Sequence, residues 1–514
     1  MTRVAIRCDA SPRIGTGHVA RCVALARALR ARGAEVEMLS RDLPDRVRRL
    51  LVDGAGMTVR ALPAATGAER GADGPALAHA GWLEGSQQGD AAQCARVLAE
   101  GSRADWLVVD HYALDARWEQ RMRASADRIL AIDDLADRAH DCDVLLDQNL
   151  FPNPETRYAG KVPPRARLLC GPKFALLREE FARARGALAP RDGRLRRVFV
   201  CFGSFDPSGQ TPRALEAIDA AGIRDLAVDV AIGEDHPGRD LIGAFCQSRP
   251  EFELHLDTTR VCDLMARADL AIGASGSMNW ERAALGLPSI VTSVADNQHA
   301  VAQPLAADLG CIYLGTAADW RPETLAGLVR GLHGAPALLA ALATRASALA
   351  DGRGAARVAA QLLPEPVALR LAQPADCESV LAWRNAEETR REAHDPRPID
   401  AEAHRAWFHR VLGDPGKALL IGELEGTPIG VLRYDLQDEG ARALVSVYLV
   451  PGRGGRGLGS ALLRAGSLWL RAHRPAVAGI RAEIRPGNRR SIGAFADAGY
   501  RLDSHNYALE LEHA

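Results

Sequence analysis

The sequence predicts an α/β protein of three domains, two doubly wound parallel sheets in succession and then a smaller, separate α/β domain. Three observations predict it. The chain has 514 residues, too many for one core at roughly 150 residues per domain. Short apolar runs alternate with amphipathic stretches from residue 1 to about 360, the pattern of strands alternating with helices in a parallel sheet. Pro364-Glu365-Pro366 then interrupts the pattern, because two prolines stop a helix and favour a linker.

Taken in order, Arg3–Cys8 reads as a buried strand, and Val19–Arg32 as a helix with Val19, Val23, Ala26 and Leu29 on one face. Val36–Leu39, Trp106–Asp110 and Arg128–Asp133 read as further strands of a first domain, residues 1–170. Segment 64–88, rich in Gly and Ala, reads as a surface excursion. In a second domain, residues 171–362, the strands are Arg197–Phe202, Leu226–Ile232, Glu251–Leu256, Leu270–Ile272 and Ser289–Val294, closed by one helix over 335–362. The third domain, residues 367–514, starts with a strand at Val367–Leu371 and a helix near 374–386. Strands near 418–424, 428–436, 443–450 and 479–485 and a helix over 488–498 follow. Open α/β sheets bind ligands beyond the carboxyl ends of their strands, and two in succession place a ligand between them.

Composition narrows the function classes. The chain is 47% hydrophobic and 25% charged, so it has the apolar content of a folded globular protein. A net charge of −1 gives no global field for nucleic acid or an acidic membrane, and no run of about 20 apolar residues predicts a membrane span. The first residues carry Arg3, Arg7 and Asp9 where a secretion signal needs an apolar core. The ten cysteines form no C-x-x-C pair and read as reduced thiols of a cytoplasmic protein, with no metal site expected.

Three segments carry chemistry. The first strand runs directly into Asp9-Ala-Ser-Pro-Arg13-Ile-Gly15-Thr-Gly17-His18-Val-Ala-Arg21. Its glycines allow a tight turn, the new helix end attracts an anion, and histidine is the common general base near neutral pH. His18 is the catalytic candidate, with substrate contacts at Arg13, Gly15, Gly17 and Arg21; the alternative is a helix-end histidine without chemistry. The second segment, Leu270 to Glu281, is a strand, a small-residue turn and a helix start. There Ser275, Gly276 and Ser277 offer donors to a pyrophosphate and Asn279 and Glu281 occupy the first turn. Capping by Ser277 is the alternative. Third, the strand ending at Val450 leads into Pro451-Gly-Arg-Gly-Gly455-Arg456-Gly457-Leu458-Gly459-Ser460 and an apolar helix, whose loop amides suit a pyrophosphate.

These segments resemble known families. The opening Asp9 to Cys22 resembles that of the UDP-2,4-diacetamido-2,4,6-trideoxy-beta-L-altropyranose hydrolases of pseudaminic acid biosynthesis. The resemblance continues through Val109-Asp110-His111-Tyr112, Ile132-Asp133-Asp134, Asp143–Asn149 and Gly171–Phe181, to about residue 350. Where that family has G-G-x-D, this chain has Gly203-Ser204-Phe205-Asp206. The resemblance implies a GT-B-like pair of Rossmann-like domains and a His18 base that activates water without a metal, inverting the anomeric carbon. It also implies substrate contacts at Arg178, Asn297 and Gln298 and a ribose contact at Glu281.

Residues 367–514 resemble GNAT N-acetyltransferases. That implies acetyl-CoA as co-substrate, held by Val450, Gly455, Arg456, Gly457, Leu458, Gly459, Ser460 and Asn488. It also implies an acetyl-acceptor site at Arg384, Asn385 and His404. Phe495 stands where many members have a tyrosine acid. The joint implication is a bifunctional enzyme that N-acetylates a UDP-4-amino-sugar and hydrolyses the UDP-diacetamido product. A UDP-sugar glycosyltransferase with an accessory GNAT domain is the alternative, and a sugar-nucleotide-binding scaffold a third.

Overall fold

The computed structural model describes residues 2–11, 13–41, 43–64, 77–308, 310–363, 367–454 and 457–502, so the prolines at 364 and 366 lie outside the described residues. The first sheet has the strands β1 (Arg3–Cys8), β2 (Glu35–Ser40), β3 (Thr58–Ala61), β4 (Ala104–Asp110), β5 (Ala126–Ile132), β6 (Val144–Asp147) and β7 (Arg167–Cys170). Its order is β3-β2-β1-β4-β5-β6-β7 with every neighbour parallel. The second sheet contains β8 (Arg197–Cys201), β9 (Ala227–Ile232), β10 (Phe252–Leu256), β11 (Leu270–Ala274), β12 (Ser289–Ser293) and β13 (Ile312–Thr316). It too is fully parallel, in the order β10-β9-β8-β11-β12-β13. Both are doubly wound, as the alternation of elements predicts. In each, the order reverses beside the first strand, β1 or β8, and the crevice there is where such sheets bind ligands.

Strands β3, β6, β7 and β13 are not evident from the pattern. Each has only four or five residues, too short a run to show a period. The expected single helix over 335–362 is two, Pro336–Leu349 and Gly354–Leu362, separated at Gly352, whose φ is +78°. The second of these packs on helix Gly17–Arg30 of the first sheet, and the Trp106 indole N–H donates to Leu362 O at 3.0 Å. Residues 354–362 thus pack with the first sheet, and Met1–Leu362 is one compact unit.

The second unit, Leu363–Ala514, has a sheet of β14 (Ala368–Leu371), β15 (Lys417–Leu424), β16 (Thr427–Gln437), β17 (Arg442–Leu449) and β18 (Gly479–Arg481). The first four are antiparallel neighbours in chain order, and β18 adds in parallel to β17. The strand expected over 479–485 stops at Arg481. Helix Leu458–His473 covers one face, burying Leu462, Leu463 and Leu470 against Leu420, Leu432 and Tyr434.

Gly354 is where the return helix meets the chain before residue 180: a Cβ there would lie 2.1 Å from the Ala175 carbonyl oxygen. Backbone cannot yield as a side chain does, so Gly354→Val is expected to destabilise the larger unit by about 2 kcal/mol or more. Thermal unfolding measures this, and an unchanged midpoint refutes the tight contact.

Candidate active site

Parallel pairing of β1 with β4 puts Cys8 level with Asp110. The chain leaving β1 turns at Gly15, whose φ is +79°, and enters helix Gly17–Arg30 with His18 in its first turn. Asp110, at the end of β4, is thereby brought under the helix start. Its Oδ1 lies 2.6 Å from His18 Nδ1, and an anion that close puts the imidazole proton on Nδ1. Nε2 is then the basic nitrogen, and it makes no hydrogen bond to a described residue.

The Asp110 carboxylate is 1% exposed. Burial acts to raise its pKa, but the Arg21 guanidinium and His18 more than offset this and hold it well below the usual carboxylate range. Arg21 grips it with Nε–Oδ2 at 2.7 Å and Nη2–Oδ1 at 2.6 Å, and donates from Nη1 to Asp134 Oδ2 at 3.1 Å. His18 packs edge-on against Tyr112, centroids 4.7 Å apart, and Tyr112 stacks on Trp82. The geometry is that of a histidine base oriented by a buried aspartate.

A cleft opens beside this dyad, lined by Gly17, Ala20, Arg21, Gln148, Leu176, Leu177, Arg178, Ser277 and Glu281. It joins the helix starts of both sheets, and a Cβ on Gly17 would sit 3.4 Å from Ser277 Oγ. Burial pushes the pKa of the Glu281 carboxyl upward, partly countered by Arg178, whose Nη2 lies 3.8 Å away. Ser277 is exposed at the helix start and its hydroxyl makes no capping hydrogen bond, so the capping alternative fails.

Other expected contacts are placed differently. Ser275 and Asn279 are buried and bond to each other at 3.0 Å, and Arg282 holds the Asn279 carbonyl oxygen at 2.7 Å. Their side chains shape the turn instead of lining the cleft. Arg13 is exposed and donates to Gly81 O at 2.9 Å, tethering the segment that carries Trp82. The Gln298 carbonyl oxygen accepts from Val294 N at 3.0 Å, and its amide nitrogen Nε2 would lie 3.6 Å from a Cβ on Gly276. The Asn297 side chain lies outside the described residues. Sequence reasoning does not find the partners of His18 as such: Asp110 and Tyr112 are legible only as parts of a motif, and Trp82 carries no local signal.

Among the described residues one group has metal-ligand spacing, Asp229, Glu253 and His255. Arg197 and Arg267 already bond the Asp229 carboxylate, which leaves it poorly disposed toward a cation.

In the second unit, β17 pairs with β18 only over Arg442–Leu444, so among the described residues Val445–Leu449 has no strand partner on that side. Beyond it, Gly457 takes a left-handed conformation, φ 74°, and starts helix Leu458–His473. Gly455 and Arg456 lie outside the described residues. The Val450 amide donates to Ile429 O. Leu458 and Ser460 are buried, and the Ser460 hydroxyl donates to Gly457 O at 2.9 Å. Gly459 faces Ala494, and Asn488 caps helix Arg489–Asp497 through Ser491 N. Both amide groups of Asn385 pin Ile399, at 2.9 and 2.8 Å, and Arg384 donates to Asp395 O. His404 is buried, with Nδ1 3.7 Å from Cys377 Sγ and its ring against Trp407 and Phe408. The side chains of Asn385 and His404, expected at the acceptor site, are thus both engaged inside the fold. Phe408 is fully buried.

Residues 378–500 match the Acetyltransferase (GNAT) family model. They form a GNAT domain. The amino-terminal part has relatives of another kind. The chain is 27% identical over 202 residues to the spore coat polysaccharide biosynthesis protein SpsG of Bacillus subtilis, covering 39% of this chain and 59% of that protein. It is 25% identical over 186 residues to the UDP-2,4-diacetamido-2,4,6-trideoxy-beta-L-altropyranose hydrolase of Campylobacter jejuni, covering 35% of this chain and 64% of that protein. The chain thus spans less than two thirds of either relative. The crystal structure of MurG from Acinetobacter baumannii aligns with 70% of this chain and 99% of its own, at 17% identity and a TM-score of 0.47. No single helix among the described residues is long and apolar enough to cross a membrane.

A second buried histidine yields a pH test. His140 Nδ1 lies 2.8 Å from Glu119 and Nε2 3.6 Å from Asp133. Burial pulls its pKa down, but Glu119 and Asp133 more than offset this and bring it to about 9. A pKa raised on folding contributes stability that is full below the unfolded value, about 6.5, and is lost as pH rises through 9. Urea unfolding of the larger unit should therefore weaken by about 3 kcal/mol from pH 6.5 to above 9. In His140→Gln that slope should flatten, and equal slopes in both proteins refute the assignment.

Proposed function

We propose that the larger unit hydrolyses a UDP-linked diacetamido-trideoxy sugar and that the GNAT domain N-acetylates a UDP-amino-sugar precursor with acetyl-CoA. The observation that carries the hydrolase reading is the His18–Asp110 dyad, next to a cleft that Gly17 and Arg21 line from its own helix and Ser277 and Glu281 from the other sheet. A sugar joined to UDP at its anomeric carbon already has its leaving group. His18 Nε2 takes a proton from water, and the water oxygen bonds to the anomeric carbon from the face opposite UDP. The bond electrons leave on the β-phosphate oxygen, so the products are UDP and an inverted free sugar. Asp110 stabilises the imidazolium formed. Amides at the start of helix Gly17–Arg30 face the departing diphosphate, and Glu281 accepts from the ribose hydroxyls. The kinship with the named hydrolase supports the substrate class.

In the GNAT domain, acetyl-CoA lies along the unpaired edge of β17 with its pyrophosphate on the loop before Leu458. The sugar amine attacks the thioester carbonyl, the C–S bond breaks, and CoA leaves as thiolate. Phe495, packed edge-on against Tyr500, has no proton to give, so solvent or another group protonates the thiolate.

Incubating the protein with the UDP-diacetamido sugar and no acceptor is expected to release UDP; a glycosyltransferase needs an acceptor to do so at a comparable rate. His18→Asn should retain UDP binding and lose turnover about a hundred-fold or more, and near-normal turnover removes His18 from the mechanism. Glu281→Gln should weaken UDP binding by about ten-fold in calorimetry, with less effect on turnover of bound substrate; unchanged affinity rules out the ribose contact.

A further inference from the structure

The Ile132-Asp133-Asp134 and Asp147-Gln148-Asn149 motifs have no part in the chemistry above, yet they meet behind the dyad. Asp134 Oδ2 accepts from Arg21 Nη1 at 3.1 Å and from Asn149 Nδ2 at 3.3 Å, and Oδ1 accepts from the Tyr112 hydroxyl. The Asn149 carbonyl oxygen in turn accepts from the Trp280 indole N–H at 3.1 Å. Trp280 is fully buried on the short helix that carries Glu281. An unbroken run of hydrogen bonds therefore leads from the second sheet through Trp280, Asn149, Asp134, Arg21 and Asp110 to His18 Nδ1.

We propose that Asp134 is a positioning residue for His18: through Arg21 it fixes the Asp110 carboxylate, and through Asn149 and Trp280 it ties that geometry to the helix bearing Glu281. Asp134 does not itself line the cleft, and no hydrogen bond joins it to His18. Its effect passes through Arg21, a donor with five N–H groups whose fork must be aligned to hold Asp110 at both oxygens. Arg21 also stands beside His18, its Nη2 3.2 Å from Nδ1, so the setting of its fork bears on the imidazole directly.

The test uses the full-length protein labelled with nitrogen-15 in its histidines, with the His18 signals assigned from His18→Asn. In Asp134→Asn the Arg21 fork loses an anchor, so the neutral His18 ring should become a mixture of Nδ1–H and Nε2–H tautomers. Asp134→Glu should restore the Nδ1–H tautomer. A folded Asp134→Asn with a pure Nδ1–H tautomer overturns the proposal. Should Asp134→Asn not fold, Asn149→Ala carries the test, because it keeps the carboxylate but cuts the tie to Trp280. There too the tautomer mixture is expected, and an unmixed tautomer overturns the proposal. The role rests on His18 being the base of the hydrolase reading, but the tautomer measurement needs no substrate. Failure of wild-type protein to release UDP would count against that reading alone. If both hold, Asp134→Asn should lower kcat about ten-fold with little change in KM.

Discussion

A carboxylate taken wholly out of water is costly unless its charge and its lone pairs are met. Asp110 is such a group, and the candidate site of the larger unit is organised around meeting it. The pairing of β1 with β4 sets Asp110 beneath the turn that leaves β1. Arg21, one turn into the helix, closes on both of its oxygens, and His18, three residues earlier, shares the same face and supplies the remaining donor. Removing either partner leaves a buried charge short of donors, so the same forces that keep the carboxylate buried hold the imidazole in one orientation. Pre-orientation of this kind is what a base needs in order to act without reorganising.

A second buried cluster holds the turn from behind. The Arg7 guanidinium, fully buried on β1, bonds Asp9 at 2.6 Å and Asp90 at 2.8 and 3.2 Å. Asp9 also accepts from the Ser40 hydroxyl and the Arg41 amide. Burial acts to raise the pKa of Asp90, but Arg7 and Arg41 more than offset it and hold it near 2. Asp9 opens the glycine-containing segment, so its tether to β1 and β2 fixes where that segment begins. The Trp118 indole N–H also donates to Asp90, which links the helix after β4 to the same cluster. The turn that carries His18 is thus held on one side by charge pairs, while Trp82 and Tyr112 pack against the His18 ring.

The GNAT domain is built differently. Among the described residues, β18 pairs with β17 over only three residues, which leaves backbone donors and acceptors of β17 beyond Leu444 without a strand partner there. In the proposed reading acetyl-CoA binds that edge through main chain, and the nearby side chains are engaged internally. Ser460, Asn385, Asn488 and His404 all bond within the fold or pack in it.

The sequence by itself determined the architecture and one end of each site. Apolar runs of five to seven residues between amphipathic helices specify buried parallel strands, because strands covered on both faces carry continuous hydrophobic sequence. The turn after β1, with Gly15, Gly17 and His18, was legible because a tight turn and a helix start leave local residue signals. Tertiary structure decided the rest. Strand order, which no local run encodes, selected Asp110 as the partner of His18. It also joined Asp134, Asn149 and Trp280, which are up to 146 positions apart in the chain, and turned Ser275 and Asn279 inward. The close approach of Gly354 to Ala175, just after the closing helix splits at Gly352, exists only in the folded chain. Periodicity reports which face of an element is buried, and it carries no information on which distant element buries it.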